Sequence, residues 1–168
     1  MPIFYSIQAF RDAIKKLSNK TKEGYGSVIK DICKSFTNKP IDEIRINRDM
    51  VLNEDNFTII KLRVPNSGQN LSKKDGFRLI YLVHKQKEEV VFLYIYPKRG
   101  PQGLITIKEE QIILFLKNYI NERKETILIS HKIENNLEEY YYSDEVITEA
   151  ITPVSYTHLR AHETRHDL

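Results

Sequence analysis

The chain has 168 residues, of which 40% are hydrophobic and 29% charged, enough apolar material for one folded domain and too much for wholesale disorder. No apolar run approaches the length of about 20 residues that spans a bilayer, and the opening "MPIFYSIQAFRD" lacks a signal-peptide pattern, so a cytoplasmic protein without a membrane segment is expected. The net charge of +3 divides unevenly: residues 1–125 carry 23 Lys and Arg against 15 Asp and Glu, whereas residues 126–152 carry Lys132 alone against six acids.

"IFYSI", at residues 3–7, reads as a short strand. Phe10, Ala13, Ile14 and Leu17 then recur at helical spacing, as do Tyr25, Val28, Ile29, Ile32 and Phe36, which predicts a helical hairpin stopped by Asn38–Pro40. The single cysteine, Cys33, lies on this second apolar face. It can form no internal disulfide, and packing rather than nucleophilic chemistry is expected of it.

From Phe57 to Val64 the pattern alternates, with Thr58, Ile60, Leu62 and Val64 on one side and Phe57, Ile59, Lys61 and Arg63 on the other. A polar loop follows from Pro65 to Gly76. The stretch "GFRLIYLVHKQKEEVVFLYIYPKRG" then reads as two strands apolar on both faces, hence central, joined by a charged turn and paired antiparallel. His84 falls at that turn, where solvent exposure is expected. Thr106 with Glu109 makes a capping box, and Ile112, Ile113, Leu116, Tyr119 and Ile120 form the apolar face of a last helix. The order predicts an α+β fold: an N-terminal strand, a helical hairpin, a three-stranded antiparallel meander and a C-terminal helix, with the helices against one sheet face.

Three segments are expected: a body at 1–125, an acidic extension at 126–152 and a tail at 153–168. The extension, with its tyrosine triplet at Tyr140–Tyr142, reads as an added strand and helix or as a loose arm; its acidity suits a segment folded across the basic cleft as a charge mimic of RNA, and padding of the helix layer is the plainer alternative. The tail "PVSYTHLRAHETRHDL" spaces His158, His162 and His166 as a metal site would, but the run resembles a translated sequencing adaptor. The run is therefore not expected to belong to the fold, nor its histidines to hold a metal.

In an antiparallel meander the end of the first strand, the start of the second and the end of the third meet at one edge. Arg63, Arg78, Lys98 and Arg99 are therefore expected to converge there, with Lys61 one step inward and Lys73 and Lys74 supplied by the loop. Such a cluster repels itself unless an anion joins it, and nucleic-acid phosphates are the natural occupants. Ordinary solvation of strand ends by basic residues accounts for each cation taken singly.

The segments "KLRVPNSG", "GFRLIYLV" and "VFLYIYPKRG", in this order after a helical hairpin, resemble the RelE/ParE superfamily of type II toxin–antitoxin toxins, particularly its HigB-like and RelE-like ribosome-dependent mRNA interferases. The resemblance spans about Ile3 to Ile120 and implies a microbial-RNase-like fold. It implies an endoribonuclease that needs no metal or cofactor, acts on mRNA in the ribosome and is neutralised by an antitoxin in a hetero-oligomer. Carried over residue by residue, Lys61 and Arg63 bind phosphate and serve as base or charge stabiliser. Arg78 stabilises the scissile phosphate, and Arg99, with Lys98, assists the leaving group. The chain departs from the pattern in lacking paired glycines before Arg78 and a tyrosine in the C-terminal helix region. A ParE-like gyrase-binding toxin without nuclease activity, or a non-catalytic RNA- or protein-binding domain on the same scaffold, are the alternatives.

Overall fold

The computed structural model describes residues 2–46, 49–104, 106–133 and 140–146, the last as backbone only. The tail and most acids of the extension lie outside the described residues. Strand β1 (Ile3–Ser6) leads into α1 (Gln8–Ser18), α2 (Val28–Phe36) and the short α3 (Ile41–Arg45). Strands β2 (Met50–Asn53), β3 (Phe57–Val64), β4 (Phe77–His84) and β5 (Glu89–Pro97) come next, then α4 (Glu109–Lys124), β6 (Ile129–Ile133) and β7 (Tyr140–Val146).

The described strands form one sheet in the order β2-β3-β4-β5-β1-β6-β7. It is wider than the three or four strands expected. β3, β4 and β5 pair antiparallel in sequence at its centre. β1 lies parallel to the first half of β5, from Ile3 opposite Glu89 to Ser6 opposite Phe92, and antiparallel to β6 on its other side. The second half of β5 runs on past the end of β1.

Helices cover both faces, which corrects the expected single helical layer. Phe10, Ile14 and Leu17 of α1 and Val28, Ile32, Cys33 and Phe36 of α2 pack with Ile60, Val64, Phe77, Leu79, Tyr81 and Phe92. On the reverse face Ile112, Leu116, Tyr119 and Ile120 of α4 cover Phe57, Ile59, Ile80, Leu82, Leu93 and Tyr96. This is why β4 is apolar at nearly every position: each side of the strand meets a helix. Cys33 is fully buried, and burial pushes its thiol up to about 12, so it packs as a small apolar residue. Gln111 caps α4 by accepting from the Lys108 N–H at 3.0 Å, in place of the expected Thr106–Glu109 box.

β6 and β7 come from the acidic extension. They add to the sheet on the β1 side, with β5 and β1 between them and β4, so the described part of the extension does not lie over the ends of β3 and β4.

Candidate functional site: a basic rim at one end of the sheet

The register decides which cations meet. Arg63 sits directly opposite Arg78 on the neighbouring strand, and Arg78 opposite Tyr96 on the next. Residues so paired project from the same sheet face about 5 Å apart. Lys61, Ile80 and Tyr94 form the next row inward. Lys98 and Arg99 lie just past the end of β5, and Lys98 N–H donates to the Gly76 carbonyl at 2.8 Å, which fixes the chain beside the start of β4. The expected convergence at one sheet end is therefore observed in the backbone register.

The side chains are less free than the sequence suggests. Arg78 is only 7% exposed. Its Nη1 donates to the carbonyls of Lys73 (2.9 Å) and Phe77 (3.2 Å), and its Nη2 to the carbonyl of Lys74 (2.7 Å). Burial, with Arg63 close by, lowers its affinity for its proton, although Tyr96, Asp49 and Asp75 oppose this. Arg99 pairs with Asp75, its Nε at 3.0 Å and its Nη2 at 2.9 Å from Oδ1. Arg63 Nε stands 3.4 Å from Asp49. Neither carboxylate was anticipated. Asp75 lies in plain view in "KKDGFR", three residues before Arg78, whereas Asp49 precedes a strand too short to be read from sequence.

Both acidic pairs are solvent-accessible, with the Arg63 and Arg99 side chains 53% and 64% exposed. Exposed pairs of this kind are worth only about 0–1 kcal/mol, so a phosphate can exchange for the carboxylate at little cost. Six basic residues (Arg63, Lys73, Lys74, Arg78, Lys98 and Arg99) lie at this end of the sheet, with Asp49 and Asp75 paired to two of them. Lys73 and Lys74 are exposed at the end of the loop.

The rim is braced by the segment leading into α2 and by that helix's first turn. The Tyr25 hydroxyl donates to the Arg99 carbonyl at 2.8 Å and accepts from Gln102 N–H at 3.1 Å, holding the turn after β5. Asn66 is buried and donates to the Gly24 carbonyl, while Asp31 accepts from Ser67 N–H and from Ser27 Oγ. These contacts fix the first half of the loop. Lys61 faces a different setting, a pocket of about 380 Å3 between β2 and the start of α4, lined by Val51, Leu52, Thr106, Ile107, Glu109 and Ile112 among others.

Tyr94 and Tyr96 pack as expected of strand residues: Tyr94 stacks on Phe115 at 4.9 Å, and Tyr96 is buried. His84 differs from expectation. It is buried rather than exposed, with Nε2 3.2 Å from the Tyr119 hydroxyl and 3.9 Å from Glu89. Comparison with protein-family models, curated proteins and solved structures gives no match to this chain.

Proposed function

We propose that the chain is a toxin of the RelE/ParE kind that binds RNA phosphates at this rim and cleaves mRNA on the ribosome, countered by a cognate antitoxin. The observation that carries the proposal is the pairing of Arg63 with Arg78 across β3 and β4, with Arg99 just past the end of β5 and held by Asp75. Two guanidinium groups opposed in register offer planar donors to adjacent phosphoryl oxygens, which lysines cannot match geometrically. In the proposed step a ribose 2′-oxygen attacks the neighbouring phosphorus and the bond to the 5′-oxygen breaks, leaving a 2′,3′-cyclic phosphate and a 5′-hydroxyl. The phosphorane formed on the way carries extra negative charge, and cations fixed at its oxygens favour it over the ground state. Lys61, one row inward, is the proposed acceptor of the 2′-hydroxyl proton or a charge stabiliser, and Lys98, with Arg99 beside it in the chain, is proposed to give a proton to the departing 5′-oxygen.

A second reading, RNA binding without cleavage, is favoured by one observation: both terminal nitrogens of Arg78 are already engaged by loop carbonyls. The test uses the purified chain with a short single-stranded RNA and with a translating extract. Cleavage predicts new mRNA ends at ribosome-held codons, carrying cyclic phosphates. It also predicts loss of those ends in an Arg63→Gln, Arg99→Gln double variant, whose exposed positions leave the fold intact. Binding that weakens steeply with salt but yields no new ends supports the second reading. Absence of RNA binding by the wild type and by any rim variant removes both.

A further inference from the structure

The polar loop between β3 and β4 is anchored in two different ways. Its first half is built into the body: Asn66 pairs with Leu71 in a backbone bridge, and Asn66 and Ser67 are tied to Gly24 and Asp31. Its exit is equally fixed. A Cβ on Gly76 would collide with the Val64 carbonyl oxygen and stand 2.7 Å from Asn66 N, so that residue lies flush against backbone that cannot yield. Between these points lies Ser72–Asp75. Among the described residues, its hydrogen bonds and ion pairs beyond its own turn run to Arg78 and Arg99 alone. Each of those contacts puts an oxygen where a phosphoryl oxygen would otherwise bind. The Lys73 and Lys74 carbonyls occupy the two terminal nitrogens of Arg78, and the Asp75 carboxylate occupies Arg99.

We infer that Ser72–Asp75 is an internal clasp that occupies the anion-binding arginines of the free chain and is displaced when a polyanion's phosphates take its place. The inference rests on the rim being a phosphate site, as proposed above, and adds how that site is gated. Release costs little, because the Arg99–Asp75 pair is exposed and the bonds of Arg78 to neutral carbonyls are exchanged for bonds to an anionic phosphate. It also turns Lys73 and Lys74, whose carbonyls hold the clasp shut, into side chains free to track the incoming strand.

Binding of a fluorescent single-stranded RNA at low salt tests the clasp. Asp75→Asn is expected to bind about threefold tighter than wild type, the size of one exposed ion pair. Asp55→Asn, which makes the same change of charge at the far end of β3, should leave affinity unchanged within error. In an Arg99→Gln background the Asp75→Asn gain should vanish. Asp75→Ala serves as a second variant, and circular dichroism reports whether each is folded. Gain in Asp75→Asn that disappears with Arg99→Gln supports the clasp, as does RNA binding by Asp75→Asn where the wild type shows none. Equal binding by wild type and Asp75→Asn overturns the clasp while leaving the RNA-binding proposal standing. A gain of the same size in Asp55→Asn reduces the effect to net charge and also overturns it. No binding by any variant overturns both.

Discussion

His84 shows how a single residue can reverse its expected role. Glu89 begins β5 immediately after the turn, and α4 passes over this end of the hairpin, so the imidazole is enclosed with Tyr119, Arg123 and Glu89. Arg123 donates from Nη1 to the Tyr119 oxygen at 2.8 Å and from Nη2 to Glu89 at 2.8 Å. Tyr119 accepts from Arg123, and its hydroxyl shares a hydrogen bond of 3.2 Å with His84 Nε2 whose direction follows the imidazole tautomer. Burial holds His84 in its neutral form, pushing it down to about 4 against the pull of Glu89, and it pushes His131, beside Ser6, down to about 3. Below the ordinary value of 6.5 the unfolded chain takes up protons on both rings while the folded chain does not. Unfolding therefore binds protons, and stability is full above pH 6.5 and falls as the pH drops towards 4. By pH 5 the loss should be about 2 kcal/mol for each histidine. Urea denaturation at pH 7 and pH 5 measures it, and His84→Gln, which keeps a hydrogen-bond partner for Tyr119, should remove roughly half. A loss of unchanged size in that variant would assign the pH dependence elsewhere.

The elements that position the rim were legible to different degrees, and the differences have physical causes. β3 was readable to its end residues because alternation from Phe57 to Val64 reflects two real faces, one against α2 and one against α4. α1 and α2 were readable from their apolar stripes. β2 was not, since "MVLN" is four residues long with Met50 and Val51 exposed at the sheet edge, leaving no buried face to impose a period. Nor was the support of the turn after β5 readable: Tyr25 and Arg99 are 74 residues apart, and no local pattern records that the hydroxyl of one meets the carbonyl of the other. That contact carries a prediction of its own. Tyr25→Phe keeps the ring packed near Phe77 and removes both hydrogen bonds, leaving the Arg99 carbonyl and the Gln102 N–H without their partner. The expected cost is about 1–2 kcal/mol by urea denaturation. If the rim binds RNA as proposed, affinity should fall as well, because Arg99 loses its fixed starting point. A variant that loses stability and yet binds RNA as wild type does would show that the turn positions nothing at the rim.

At the scale of the whole molecule, the sequence conveyed an α+β fold and the convergence of strand ends, because hairpin pairing is local. It offered an added strand after Glu125, which β6 and β7 bear out, but it did not convey that β1 enters the sheet parallel to β5 or that this addition joins the sheet beside β1, since both depend on contacts between distant segments. The second point changes how the extension must be tested. Leu128 is buried, Ile129–His131 pairs with Phe4–Ser6, and His131 Nε2 lies 2.6 Å from Ser6 Oγ. Ending the chain at Glu125 would strip β1 of one neighbour and leave that four-residue strand at an open edge. The buried leucine contributes about 2 kcal/mol and the bond to Ser6 about 1 kcal/mol, a large share of a typical domain's margin. A chain of residues 1–125 should therefore melt roughly 10 °C below the full sequence. One of residues 1–133, which keeps β6 and loses only the residues beyond it, should melt close to the full sequence. Calorimetry on the three chains decides the matter. If 1–125 melts with the others, β6 is dispensable to the body. If it melts early, any gain or loss of RNA activity on removing the acidic extension has to be read from the 1–133 chain, which lacks β7 but keeps β6 beside β1.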